Sequence, residues 1–79
     1  MPTLRYFAAA AEAAGTDHEE VDGVDVQAVL TSVRRAHGPR LAHVLEHSSL
    51  LLDGQYVRDP STELSESSVL DVLPPFAGG

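Results

Sequence analysis

The sequence predicts an α+β domain, a mixed four- to five-stranded sheet with one main helix packed on one face and a short second helix. Three observations support this prediction: an alternating aromatic strand near the start, one apolar stripe of helical spacing in the middle, and a hairpin followed by a final strand. A chain of 79 residues has enough length for one compact core and no second one.

The first predicted strand is Thr3–Phe7, in which apolar and polar residues alternate. Leu4 and Tyr6 share the face that we expect the main helix to cover. Arg5 and Phe7 therefore lie on the opposite, open face of the sheet.

The next part of the chain predicts the helices. The alanine-rich segment 8–14 predicts a turn or short helix that stops at Gly15, and segment 18–21 is a weakly patterned candidate strand. Asp25 is a favourable N-cap for the main helix. The apolar stripe of that helix consists of Val26, Val29, Leu30 and Val33. Gly38-Pro39 ends it, and a shorter amphipathic helix follows, whose apolar face carries Leu41, Val44 and Leu45.

The last third of the chain predicts a hairpin and a closing strand. Segments 50–52 and 55–57 flank Asp53-Gly54, a pair that suits the type I′ turn of a two-residue loop. Segment 69–73 is the final strand, and Pro74-Pro75 ends it because proline has no N–H to donate.

This order of elements is that of a ubiquitin-like, β-grasp domain, predicted over residues 1–73. Residues 74–79 are predicted to form an extended, flexible C-terminal tail, since the two prolines favour polyproline geometry and little in the segment can anchor it. No run of 18 apolar residues occurs, so we expect neither a signal peptide nor a membrane partner, and the cytoplasm is the default compartment.

Composition excludes several classes of function. The formal net charge is −7 and every basic residue is an arginine, so the chain lacks the basic stripe of a nucleic-acid binder. The absence of cysteine excludes a disulfide framework, a thiol nucleophile and a cysteine zinc site. The acidic surface favours a basic protein partner through electrostatic steering. Its densest cluster, expected to be a solvated face, is Asp17, Glu19, Glu20, Asp22 and Asp25.

The sequence offers no metal or catalytic constellation of its own. His43 and His47 are four residues apart on the predicted second helix with Glu46 alongside, a spacing that can bind zinc, but no third ligand is evident and a solvated helix face is expected. The serine pairs Ser48-Ser49 and Ser67-Ser68 lack the glycine elbow and the paired base of a serine nucleophile. No glycine-rich phosphate-binding loop occurs in the sequence. We therefore expect a chain that does not bind ATP and is not an enzyme by itself.

The most informative stretch is the ending, Leu73-Pro74-Pro75-Phe76-Ala77-Gly78-Gly79. Its last six residues reach about 20 Å, which makes a thin arm with a carboxylate at its tip. Terminal glycines leave that carboxylate uncrowded and let the arm enter a narrow active-site tunnel. Adenylation by ATP would supply a leaving group, and attack by a sulfide or persulfide would turn the carboxylate of Gly79 into a thiocarboxylate.

Two motifs resemble the ThiS/MoaD family of sulfur carriers, and within it most closely the small subunits of molybdopterin synthase. The opening motif is Arg5-Tyr6-Phe7-Ala8, followed by Glu12 and Gly15. The closing motif is the proline pair before the double glycine. Two positions depart from the family pattern, Ala11 in place of a common arginine and the shortened loop 65–68.

The resemblance implies a β-grasp fold and a sulfur-transfer cycle. An ATP-dependent, ubiquitin-activating-type adenylyltransferase activates Gly79, and a sulfur donor, a persulfide or sulfurtransferase, converts it to the thiocarboxylate. Gly78 and Gly79 then enter the large subunit of molybdopterin synthase, whose pocket uses the sulfur to build molybdopterin. No stably bound cofactor is implied, because ATP belongs to the activating enzyme and the sulfur is carried on the C-terminus.

Three other functions stay open. One is a sulfur carrier for thiamine or cysteine biosynthesis, although the proline pair before Phe76 disfavours thiamine. Another is a ubiquitin-like protein modifier, weakly disfavoured because a chain without lysine cannot build lysine-linked chains on itself. The last is a plain binding domain with a frayed end.

Strand alternation also predicts an apolar docking patch at the base of the tail. Phe7 lies on the open face, and a charged residue at position 71 indicates that its face of the last strand is open, which exposes Leu73. Tyr56 is predicted to lie on the same face, so these three residues form one patch. The residues predicted to bind partners are Phe7, Tyr56 and Leu73, with Pro74, Pro75, Phe76 and Ala77 of the tail.

Overall fold

The computed structural model describes residues 1–75, which form a five-stranded mixed sheet and three helices. The strands are β1 (Thr3–Tyr6), β2 (His18–Glu20), β3 (Ser49–Leu52), β4 (Gln55–Tyr56) and β5 (Val69–Leu73). The helices are α1 (Ala9–Ala14), α2 (Val26–His37) and α3 (Pro39–Glu46). The strand order is β2-β1-β5-β3-β4, with β1 and β5 parallel and the other neighbours antiparallel. This ubiquitin-like β-grasp architecture confirms the predicted fold class.

The core lies between the two central strands and the helices. Leu4 and Tyr6 of β1 and Leu70 and Val72 of β5 are each at most 2% exposed. They meet the four stripe residues of α2, all of which are buried, together with apolar residues of α1 and α3. The predicted assignment of strand faces is therefore correct, because the residues assigned to the helix side form one core.

Local signals set the ends of the elements much as predicted. The Asp25 carboxylate accepts a 2.8 Å hydrogen bond from the Ala28 amide, so it caps α2. Asp53 and Gly54 have φ values of 48° and 88°, and the register aligns Leu52 with Gln55. Positive φ at both central residues is the type I′ geometry that the Asp-Gly pair predicted. The boundaries differ in detail, since β1 ends one residue before Phe7.

A polar cluster joins the far edge of the sheet to the end of α2. The Tyr6 hydroxyl donates to the Glu19 carboxylate at 2.7 Å, and His37 Nε2 contacts the same oxygen at 2.5 Å. The His37 ring also meets the Tyr6 ring edge-on, with centroids 6.1 Å apart. The prediction that Glu19 belongs to a solvated acidic face is therefore wrong, because its carboxylate is half-buried and ties β2 to the rest of the fold.

Ala8 occupies a backbone conformation that favours glycine. Its φ of 50° and ψ of −124° are those of the first central residue of a type II′ turn. The Ala10 amide closes that turn with a 3.0 Å hydrogen bond to the Phe7 carbonyl. A Cβ atom at a positive φ is strained, so the entry to α1 costs the chain free energy.

Replacing Ala8 with glycine should raise the free energy of unfolding by about 1 kcal/mol, because the strain at positive φ disappears. Ala13→Gly, in the interior of α1, is the matched control and should lower it by about 1 kcal/mol. Urea titrations of the two variants and the parent measure both changes. Equal destabilisation by the two substitutions would show that residue 8 has an ordinary helical or extended backbone.

Tyr6 predicts an alkaline loss of stability. Burial, and then the neighbouring Glu19 carboxylate, raise the pKa of Tyr6 above its ordinary value of 10.0, so the folded chain keeps a proton that the unfolded chain releases. The free energy of unfolding should therefore keep its full value below pH 10.0. Above that pH it should fall by up to ~1.4 kcal/mol per pH unit. Tyr6→Phe should remove this loss, whereas Tyr56→Phe, at an exposed tyrosine, should retain it. Denaturant midpoints measured across this alkaline range would contradict the assignment if the Tyr6→Phe curve followed the parent's.

Candidate functional site: the open face of the sheet

The face of the sheet turned away from the helices carries a charged pair, and apolar side chains lie on the same face towards β4 and at the ends of β1 and β5. The register places Arg5 opposite Asp71, Asp71 opposite Leu51, and Leu51 opposite Tyr56. Residues opposite each other in register project to the same side of a sheet. These four residues therefore form a row across β1, β5, β3 and β4, which we call the central row.

Arg5 and Asp71 form a bidentate ion pair in the middle of the open face. Arg5 Nε lies 2.5 Å from one carboxylate oxygen of Asp71, and Nη2 lies 2.8 Å from the other. Only 13% of the Asp71 side chain is exposed, whereas 51% of the Arg5 side chain is. The hydrogen bond and the charge of Asp71 raise the pKa of Arg5, so the guanidinium covers the carboxylate as a permanent cation. Asp71 does mark the open face, as the sequence predicted, but it lies largely beneath Arg5.

Three apolar side chains also lie on this face. Phe7 is 40% exposed just beyond the end of β1. The centroid of its ring lies 5.8 Å from the guanidinium carbon of Arg5. Leu73, at the end of β5, is half-buried, and Tyr56 on the edge strand β4 is 70% exposed. All three residues predicted for the docking patch therefore lie on the open face.

Leu51 connects the parts of the patch, and the sequence prediction omitted it. Two strand spacings, about 10 Å, separate β5 from β4, so Leu73 and Tyr56 are too far apart to touch directly. Leu51 lies between them on β3, in register with Tyr56, and is half-buried. Alternation along the hairpin already assigns Leu51 to the face of Tyr56, so the signal was present in the sequence. We refer to Phe7, Leu51, Tyr56 and Leu73 together as the apolar patch.

The segment that follows β5 crosses to the helix side of the domain. Pro74 is half-buried and Pro75 is exposed, and both line a shallow groove of ≈ 230 Å³ beside α1 and α3. The groove is completed by Ala9, His43, Val44 and His47. The remaining predicted site residues, Phe76, Ala77, Gly78 and Gly79, lie outside the described residues 1–75.

The buried polar side-chain atoms of the described residues are all paired. Every buried side-chain nitrogen and oxygen within residues 1–75 has a hydrogen-bond partner, so none points unpaired into a pocket. None of the three helices in these residues has the length and apolar character needed to cross a membrane. The open face provides an apolar patch beside an ion pair, next to the strand end from which the C-terminal segment departs.

Comparisons with known proteins identify a family and several similar folds. The family model described as "ThiS family" matches residues 4–79. No curated protein matches the chain. The solution structure of small archaeal modifier protein 1 from Methanosarcina acetivorans superposes with a TM-score of 0.87 at 27% identity, covering 99% of this chain and 95% of that one.

Two further structures are similar in fold alone, since their sequence identity is 19%. One is the complex of subunits 1 and 2 of the molybdopterin-converting factor from Helicobacter pylori, with a TM-score of 0.73 and coverage of 99% of this chain and 97% of the matched one. The other is the BexX/CysO complex from Amycolatopsis orientalis, with a TM-score of 0.81 and full coverage of both chains (100% and 100%).

Proposed function

Because the chain belongs to the ThiS family, we propose that it carries sulfur as a thiocarboxylate on Gly79 and donates it in molybdopterin synthesis. The observation that carries this proposal is a family match that continues through the last residue of the chain. That match includes the ending Pro74-Pro75-Phe76-Ala77-Gly78-Gly79, whose terminal glycines suit entry into a tunnel.

The proposed chemistry needs only the C-terminal carboxylate from this chain. That carboxylate attacks the α-phosphate of ATP on an adenylyltransferase of the ubiquitin-activating type, forming an acyl adenylate and releasing pyrophosphate. A sulfide ion then attacks the acyl carbon and expels AMP, which gives the thiocarboxylate directly. If the donor is a persulfide, its terminal sulfur attacks in the same way to give an acyl disulfide, and a thiol reductant then cleaves the S–S bond and is itself oxidised to a disulfide. The product is a C-terminal thiocarboxylate, and the domain acts as carrier and subunit while the catalytic pocket belongs to its partner.

The open face is the proposed docking surface for that partner, the large subunit of molybdopterin synthase. Buried aromatic and aliphatic anchors provide most of the energy of an interface, and the apolar patch supplies four of them beside the start of the C-terminal segment. The complex of two converting-factor subunits from H. pylori supports a pairing of this kind. The net charge of −7 would speed the encounter with a basic partner.

A ubiquitin-like protein modifier is the second candidate, and one observation favours it. The small archaeal modifier protein from M. acetivorans shares 27% of its residues with this chain over nearly the whole length. A modifier would use the same acyl adenylate, but the acceptor would be an amine of a target protein in place of sulfide. The CysO complex supports, through fold alone, the third possibility of a sulfur carrier for cysteine synthesis.

Changing the C-terminus by one residue should abolish sulfur loading. Deletion of Gly79, or addition of one alanine after it, displaces the reacting carboxylate, whereas one extra residue before Met1 is the matched control. Each chain is incubated with the activating enzyme, ATP and sulfide, and intact mass spectrometry detects the exchange of one oxygen for sulfur. An extended C-terminus that still gains sulfur would refute the role of Gly79.

The loaded chain also separates the candidate functions. When the loaded chain is mixed with the large subunit of molybdopterin synthase and the precursor of molybdopterin, it should lose its sulfur, and molybdopterin should form. Transfer to a protein amine, with loss of the free chain and appearance of a heavier conjugate, would instead establish the modifier.

Phe7→Ala should weaken docking through faster dissociation. Loss of one buried anchor costs about 1–3 kcal/mol, or ~5- to 150-fold in affinity, with little change in the salt dependence of association. Glu20→Gln, at an exposed acidic position, is the contrasting variant and should slow association mainly at low salt. Glu19 is unsuitable for this purpose because it holds Tyr6 and His37. Stopped-flow binding to the large subunit tests both, and a Phe7→Ala chain that binds as tightly as the parent would place the docking surface elsewhere.

A further inference from the structure

The last turn of α3 brings three metal-ligating side chains together on one exposed face. His43, Glu46 and His47 each present one nitrogen or oxygen ligand atom, and these atoms lie within 4.8 Å of one another. We propose that these three residues bind a borderline divalent cation such as Zn²⁺, Ni²⁺ or Cu²⁺. This site is independent of the sulfur-carrier proposal, because it lies on the helix side of the domain and not on the open face.

The geometry requires only small side-chain rotations. Residues at positions i, i+3 and i+4 share one face of a helix, which is why Glu46 lies within reach of both rings. The two imidazole rings are already adjacent, with centroids 4.8 Å apart. A tetrahedral zinc ion with bonds of about 2.1 Å needs its ligand atoms roughly 3.4 Å apart. All three side chains are exposed, so rotation about their side-chain torsions can close the remaining distance.

One hydrogen bond already orients a ligand. His47 Nδ1 lies 3.0 Å from the carbonyl oxygen of His43, and a carbonyl can only accept, so Nδ1 carries the proton. The lone pair is then on Nε2, free to bind a cation. Metal-binding histidines commonly donate their second ring N–H to a carbonyl or carboxylate in this way.

The surrounding charge favours a cation at this position. The ligands lie in and just after the last turn of α3, at the negative end of the helix dipole. The net charge of the chain, −7, adds a long-range attraction. Two imidazoles and one carboxylate suit zinc, nickel and copper, whereas magnesium and calcium prefer sites made of oxygen ligands.

Three protein ligands leave at least one coordination position open. The same two histidines line the groove that Pro74 and Pro75 share, so a bound cation would lie beside the first two residues after β5. Its open position would be available to water or to a donor from a partner protein on this side of the domain. The predicted helix already placed Glu46 alongside both histidines, and the structure shows that its carboxylate comes within reach of the two rings.

Zinc titration of the full chain, purified without a histidine tag, tests the proposal by isothermal calorimetry. We expect one equivalent of Zn²⁺ to bind and Mg²⁺ not to compete. His43→Gln and His47→Gln should each lower the affinity for Zn²⁺ at least about tenfold, and Glu46→Gln should lower it as well. His18→Gln removes an exposed histidine elsewhere and is the matched control, which should bind as the parent does.

A second measurement locates the cation. Nuclear magnetic resonance of the labelled chain during the titration should shift amide signals of α3 and of Ala9 more than those of the sheet. Thermal unfolding in the presence of a chelator verifies that the variants fold like the parent. Binding that is unchanged in the double variant lacking both histidines, equal competition by Mg²⁺, or the absence of saturable binding would each overturn the proposed site.

Discussion

In the centre of the sheet, β1 and β5 run parallel and pair residue by residue from Thr3 with Val69 to Tyr6 with Val72. The paired residues are 66 positions apart in the chain, as the Arg5–Asp71 contact shows, so the pairing closes nearly the whole domain into one loop. Parallel strands need a crossover connection, and here the helices and the β3–β4 hairpin all belong to it. The pairing thus determines which strand faces α2 and α3 cover and where β5 ends.

The same pairing explains why the open face contains a charge. Position 71 lies in a strand flanked on both sides by neighbours, where an unpaired carboxylate would lose its hydration at a considerable cost in free energy. The parallel register places Arg5 directly opposite, and its guanidinium satisfies both carboxylate oxygens. The ion pair is an orienting feature more than a large source of stability, because Arg5 itself is half exposed to water. Its position also brings the Phe7 ring next to a fixed cation.

A carrier of a reactive group needs a firm domain, a recognisable surface and a thin extension. The sheet and its helices supply the domain. Its edge strands are short, with three residues in β2 and two in β4, which limits unwanted pairing with other chains. The apolar patch beside Arg5 and Asp71 is the candidate for the second. The family match extends through Gly79, the residue to which the proposed chemistry is assigned.

The sequence by itself determined those features that depend on neighbouring residues. The 3.6-residue stripe of α2, its cap at Asp25 and the Asp-Gly turn are local, so each could be predicted from a few positions and each is present. The alternation that assigns Leu4 and Tyr6 to the core depends only on the period of a strand. The double glycine at the end of the chain is likewise a property of the sequence, and together with the proline pair it indicates the family without reference to the fold.

Tertiary structure decided what depends on residues distant in the chain. Glu19 is one of five clustered acids in the sequence, yet folding brings Tyr6 and His37 to the same carboxylate oxygen. Alternation assigns Leu51 to the face of Tyr56, but its position between β4 and β5 follows from the pairing of β3 with both strands. Alternation and helical spacing assign a residue to a face of its own element, but contacts between elements follow from strand order and register, which long-range pairing selects.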